Sequence, residues 1–128
     1  MAGPLPLGAV ASLLGVGVNV ELIRVEQPGT SPRHRRDFEV AVVGDALFRF
    51  AAVLERSQHN GRTPMLDRID PYGVLELTPA EMTQFIGELH VLVENVQNVG
   101  EHRVLDAIRG LAGRCLVDSD LRLRFVGD

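Results

Sequence analysis

An α+β fold is what this sequence predicts: three helices packed on one face of a mostly antiparallel sheet of about five strands. Three observations predict it. Apolar and polar residues alternate with period two in Val16-Gly17-Val18-Asn19-Val20-Glu21-Leu22 and again in Leu121-Arg122-Leu123-Arg124-Phe125. Apolar residues recur at helical spacing in two long stretches between Met82 and Cys115. Turn and cap signals separate the segments at short intervals, in the order ββα–ββ–αα–β, and no internal repeat is present.

The elements follow in order. Residues 1–15 are expected to form a loosely ordered extension ahead of a single domain spanning 16–128. Leu5 to Val20 is apolar and Ala9-Val10-Ala11 imitates a signal-peptide cleavage site, but no arginine precedes the run. Glycines and prolines break it, and it is too short to span a membrane. Val16, Val18, Val20 and Leu22 then give the first strand one buried face, and Gln27-Pro28-Gly29 ends it. After a polar loop to Arg36, the residues Phe38, Val40 and Val42 form the apolar face of a second strand, antiparallel to the first.

Asp45 follows Gly44 as the N-cap of a helix whose Leu47, Phe48, Ala51 and Leu54 share one face. That helix reaches about Gln58 and stops at a glycine cap within His59-Asn60-Gly61. Met65 to Ile69 and Val74 to Leu77 flank Asp70-Pro71-Tyr72-Gly73, whose residue order suits a type I turn, so the segment reads as a hairpin. Thr78-Pro79-Ala80-Glu81 opens the second helix as a capping box with proline at the first helical position. Met82, Phe85, Ile86, Leu89, Leu92, Val93 and Val96 form its stripe, and Asn98-Val99-Gly100 breaks it. A third helix carries Val104, Leu105, Ile108, Leu111, Ala112 and Cys115. The terminal strand buries Leu121, Leu123 and Phe125. It turns Arg122 and Arg124 to the other face, where Glu21, Glu39, Asp67 or Glu76 could balance them.

Composition narrows the function. A chain of 128 residues, 45% hydrophobic and 23% charged, makes one domain with a self-sufficient core. All thirteen basic residues are arginine, so lysine-dependent P-loop and Schiff-base chemistry is excluded. Cys115 is the sole cysteine; it cannot form an intrachain disulfide, and it reads as a buried, inert thiol of a cytosolic protein. The net charge of −4 argues solubility rather than a polyanionic partner. Arg33-His34-Arg35-Arg36 is the one dense basic run, short and without interleaved aromatics, which makes it a solvated loop. Neither nucleic acid nor a membrane is an expected partner.

Sites for chemistry are few. Asp67, Asp70 and Glu76 cluster around the predicted hairpin, and paired carboxylates can act as acid and base or hold a divalent cation. The simpler assignment has Asp70 capping its own turn while Asp67 faces water or pairs with Arg68 or Arg103. His90 and Glu94 lie one helical turn apart, without a second histidine, an HExxH or a CxxC to complete a metal site. Ser12, Ser31, Ser57 and Ser119 lack a nucleophile elbow. Gly15-Val16-Gly17 is not followed by a helix, so no dinucleotide or other cofactor is expected.

Leu66-Asp67-Arg68-Ile69-Asp70-Pro71-Tyr72-Gly73 with its following helix, and Leu121-Arg122-Leu123-Arg124-Phe125-Val126-Gly127-Asp128, resemble a small bacterial protein family to which no activity is attached. The resemblance covers about the second half of the chain and departs at Val74, where a polar residue is expected. It implies a shared fold and transfers no catalytic residue. Asp67, Asp70, Tyr72 and Glu76 are the candidate binding residues; no catalytic or metal residue is assigned. The expected function is that of a small non-enzymatic cytosolic protein binding another protein, as a regulator, adaptor or immunity-type inhibitor. The alternative is a hydrolase or divalent-metal enzyme using the acidic residues of the 67–76 hairpin.

Overall fold

The computed structural model describes residues 17–27 and 35–127. The expected extension over residues 1–15 lies outside them. Seven main elements run β1 (Val18–Glu26), β2 (Arg36–Val43), α1 (Arg49–Ser57), β3 (Val74–Leu77), α2 (Met82–Val93), α3 (Val99–Leu116) and β4 (Leu121–Gly127). The strands form one antiparallel sheet in the order β2-β1-β4-β3, with the three helices against one face. The α+β class is as expected, with four strands among the described residues instead of about five.

β4 lies at the centre because its alternation suits burial on one face only. Leu121, Leu123 and Phe125 are buried among the helices, opposite β1 residues such as Val20 and Leu22. Phe125 is the hub, with its ring centroid 5.3 Å from Phe85 of α2 and 6.4 Å from Phe50 of α1. Behind it, Gly127 donates to Gly73 O at 2.8 Å, and a Cβ there would fall 2.1 Å from the Pro71 carbonyl. Only glycine lets the 70–73 turn lie flush against the end of β4.

The other face carries charge. Arg124 pairs with Glu21 at 2.7 Å and Asp37 at 3.4 Å, while Arg35 joins Asp37 at 2.8 Å to Glu76 at 2.6 Å. Of the acids expected to balance Arg124, Glu21 does so and Glu76 is taken by Arg35. Arg122 turns to the carbonyls of Ser119 and Leu121.

Several expectations are corrected. Met65 to Ile69 is no strand and makes no hairpin with β3; Leu66–Arg68 is a 3-10 turn. The buried Glu88 carboxylate of α2 accepts from the amides of Met65 at 2.9 Å and Leu66 at 3.0 Å, and Asp67 N donates to Thr63 O. Those donors are unavailable to a ladder, and Met65, Leu66 and Ile69 all enter the core instead of alternating.

β2 presents the face opposite to the expected one. Its inward residues are Ala41 and Val43, set opposite Leu22 and Val20, while Phe38, Val40 and Val42 are exposed. A bulge is the reason for the broken pattern: Leu22 faces Ala41 and Ile23 faces Glu39, so Val40 has no residue opposite it.

The first helix starts later than its cap predicted. Asp45 does cap it, but its buried carboxylate accepts from Phe50 N at 2.7 Å and Ala51 N at 3.1 Å, and also from Val18 N at 2.9 Å. Leu47 and Phe48 fill the gap with left-handed φ of 54° and 55°, and Leu47 is 74% exposed instead of on the buried face. At the far end His59, at φ 64°, takes the left-handed position assigned to glycine, and Gly61 serves the following turn. Asn98-Val99-Gly100 likewise starts a helix rather than merely ending one: Asn98 Oδ1 accepts from Glu101 N at 2.8 Å as the N-cap of α3.

The Thr78–Glu81 capping box forms as predicted, with Glu81 Oε1 accepting from the Thr78 amide at 3.0 Å and hydroxyl at 3.1 Å.

Two predictions follow from this packing and its caps. Phe125→Ala should cost about 3–5 kcal/mol, because it empties a site between two helices. Arg124→Ala, on the charged face, should cost only about 1 kcal/mol, with both read from urea midpoints at unchanged slope. The amide bond from Thr78, aided by Arg68, holds the Glu81 carboxyl below its ordinary 4.5. A lowered native value adds stability that is complete above 4.5 and is lost as the pH falls through the native value. The stability gap between the natural chain and Glu81→Gln should therefore be present at neutral pH and vanish well below 4.5. A gap that persists in acid would show that the charge of Glu81 is not what stabilises the cap.

Candidate functional site

The residues singled out in the sequence do not converge. Asp67 Oδ1 accepts from His59 N at 2.9 Å and the Thr63 hydroxyl at 3.1 Å, on the 3-10 turn. Asp70 closes its own turn, accepting from Tyr72 N at 2.8 Å while Gly73 N donates to its carbonyl. Tyr72 is exposed beside it. Glu76 is on β3, bound to Arg35 rather than near Asp67, because the predicted hairpin is replaced by β3–β4 pairing. Each carboxylate thus has a separate structural partner. Glu94 is held by both terminal nitrogens of Arg62, which separates it from His90. Among the described residues, no group of three or more His, Cys, Asp or Glu is placed to hold a metal ion.

What the fold exposes is an edge. β2 and β3 are the outer strands, but β3 has four residues and β2 has eight. Phe38 and Val42 of β2 are 47% and 51% exposed. Among the described residues the outer amides and carbonyls of β2 have no ladder partner and could pair with another chain; natural sheets blunt such edges with charged side chains, lysine above all, with proline, with bulges or with short length. β2 has neither lysine nor proline and is not short; its guards are Arg36, Asp37, Glu39 and the bulge at Val40, and the 41–43 end carries no charge.

The flank of α3 continues this edge. Leu105, Ile108, Ala112 and Cys115 face the core, while Asp106 and Arg109 border α2. Arg103, Ala107, Gly110 and Arg114 recur on the remaining side at helical spacing, all exposed. Arg103 there lines a cleft of about 240 Å³ shared with Val43 and Gly44 at the end of β2, Arg49 and Gly100. The opposite end of α3 leads into Asp118, which pairs with Arg24 at 3.2 Å, and Arg24 faces Phe38 across β1 and β2. The helix flank therefore runs antiparallel to β2. From Arg103 to Arg114 is about 16 Å along a helix, and from Val43 to Phe38 about 17 Å along a strand, so the two are matched in length.

The described arginines divide into a paired and an unpaired half. Arg24, Arg35, Arg56, Arg62, Arg68 and Arg124 each pair with a carboxylate. Among the described residues, Arg36, Arg49, Arg103, Arg109, Arg114 and Arg122 form no ion pair with a carboxylate. Arg49 lies so close to the first turn of α3 that a Cβ on Gly100 would sit 2.3 Å from its Cζ. Of the basic run, Arg35 is committed to Asp37 and Glu76, and Arg33 and His34 lie outside the described residues. Arg49, Arg103 and Arg114 are not among the binding residues expected from the sequence. The available signal was an arginine at each end of an otherwise small-residue flank on the third helix.

No protein-family model, curated protein or solved structure matches the chain. The surface stands on its own geometry.

Nucleophilic chemistry finds no support at Cys115. The thiol is buried, and burial pushes its pKa up to about 11. It should resist a thiol reagent in the folded protein and react at the rate of unfolding. Rapid native-state labelling would show that the α3–β4 layer opens locally.

Proposed function

We propose that this domain is a small non-enzymatic cytosolic protein that binds another protein, as a regulator, adaptor or immunity-type inhibitor, and that the partner docks on the β2 edge. The observation that carries this reading is the eight-residue outer strand with exposed Phe38, Val40 and Val42 and neither lysine nor proline. An edge of this kind recognises a partner through main-chain hydrogen bonds, and pockets for alternate side chains add selectivity. The bulge at Val40 adds twist. Twist disfavours open-ended stacking of flat strands and leaves a bent strand able to pair. The single buried thiol fits a reducing compartment.

The test compares the natural chain with Val42→Lys, which places the customary guard on the edge. A partner isolated with the natural chain should bind the variant at least about tenfold more weakly, a loss of about 1.4 kcal/mol. Its binding should slow hydrogen exchange of the amides at 36–43. Equal binding to both chains, with protection elsewhere, would rule out β2 as the docking edge.

A further inference from the structure

We infer that the segment received by β2 is extended and acidic, with carboxylates that meet Arg49, Arg103 and Arg114. This rests on the reading of β2 as the docking edge and adds the chemistry of what docks there. A fifth strand added outside β2 lies about 4.8 Å further out, with one face beneath the flank of α3. Ala107 and Gly110 of that helix are small and exposed. Arg103 and Arg114 stand at the two ends of this stretch, and Arg49 joins Arg103 in the cleft beside Val43 and Gly44.

Charge supplies the selectivity. Six of the twelve described arginines are neutralised by carboxylates within the protein, and these three are among the six that are not. Arg49 and Arg103 both line the one cleft, so their charges add. Two unpaired guanidiniums in one cleft raise the local potential and favour an anion that brings them together. A carboxylate suits them because a guanidinium can grip it with two parallel hydrogen bonds. In an extended chain alternate side chains face the same side, so acidic residues at every second position would all face α3.

The probe is a blocked, fluorescently labelled eight-residue peptide of alternating valine and glutamate, titrated into the full chain at low and high salt. The expected result is binding that weakens with salt, that falls about tenfold or more in Arg103→Glu, and that disappears when alternate peptide nitrogens are methylated. A valine–arginine peptide of equal length should not bind. If both peptides bind equally, Arg103→Glu changes nothing and methylation still abolishes binding, the edge reading stands and the acidic inference falls. If the acidic peptide survives methylation, the arginines hold anions without strand addition and the inference falls. Tighter binding of an eight-residue oligothymidylate than of the acidic peptide would assign the arginines to nucleic acid and overturn it as well. No binding of any peptide at millimolar concentration would overturn both readings.

Discussion

The fold depends on three buried carboxylates that hold loop backbone where a ladder or helix cannot. Asp45 ties the start of β1 to the start of α1. Glu88 of α2 grips the amides of Met65 and Leu66, with Gln84 Nε2 donating to it at 2.8 Å. Glu101 of α3 accepts from Arg56 and from Gln97 N at 2.9 Å, while Arg56 also donates to Asn95 O at 3.0 Å. Buried amides without a partner are costly, so a loop that enters the core must bring acceptors or find them. Each of the three loops finds a carboxylate on an element distant in sequence or at its own far end. Burial opposes this arrangement at Asp45: desolvation raises its pKa above the ordinary 3.8, and three amide bonds work against that rise.

These clamps also explain what was legible in the sequence. The Thr78–Glu81 box, the Asp70–Gly73 turn and the terminal strand were readable because each is specified by residues within a few positions. Met65 to Ile69 was misread as a strand because the residue that shapes it, Glu88, lies more than twenty positions away. Leu47 and Phe48 were placed on a helix face because Asp45 caps amides five and six positions on rather than two or three. For β2 the alternation was real, but alternation alone does not say which face is buried, and the bulge at Val40 puts Phe38, opposite Arg24, and Val42, opposite Glu21, on different faces. The candidate site was almost illegible for the same reason. β2 becomes an edge only through the order β2-β1-β4-β3, and that order is a property of all four strands together.

Charge is divided between the two sides of the sheet in a way composition hides. On the face away from the helices, Glu21, Arg124, Asp37, Arg35 and Glu76 form a connected run of ion pairs spanning all four strands. Such pairs each contribute little, but together they fix side chains on this sheet face. The arginines near the β2 edge have no such role in the fold. Changing them should leave the core intact, which separates binding from stability along this surface.

The turn before α1 connects the clamp to that surface. Two consecutive non-glycine residues with left-handed φ, Leu47 and Phe48, carry strain of about 1–3 kcal/mol each. The surrounding structure must outweigh that strain, and the Asp45 carboxylate with its three amide donors is what surrounds it. Phe48 packs so closely on Gly17 that a Cβ there would lie 2.9 Å from Phe48 Cδ1, so glycine at 17 is what admits the turn. What the strained turn achieves is position. It delays the first residue of α1 to Arg49 and sets that residue against Gly100 at the mouth of the cleft, with Ala46 on the wall beside it. A regular helix starting three residues after Asp45 would begin on Phe48 and carry Arg49 round by about 100° for each residue of shift. The strain in the backbone and the unpaired charge in the cleft are two consequences of one geometry, and both are held by the same buried carboxylate.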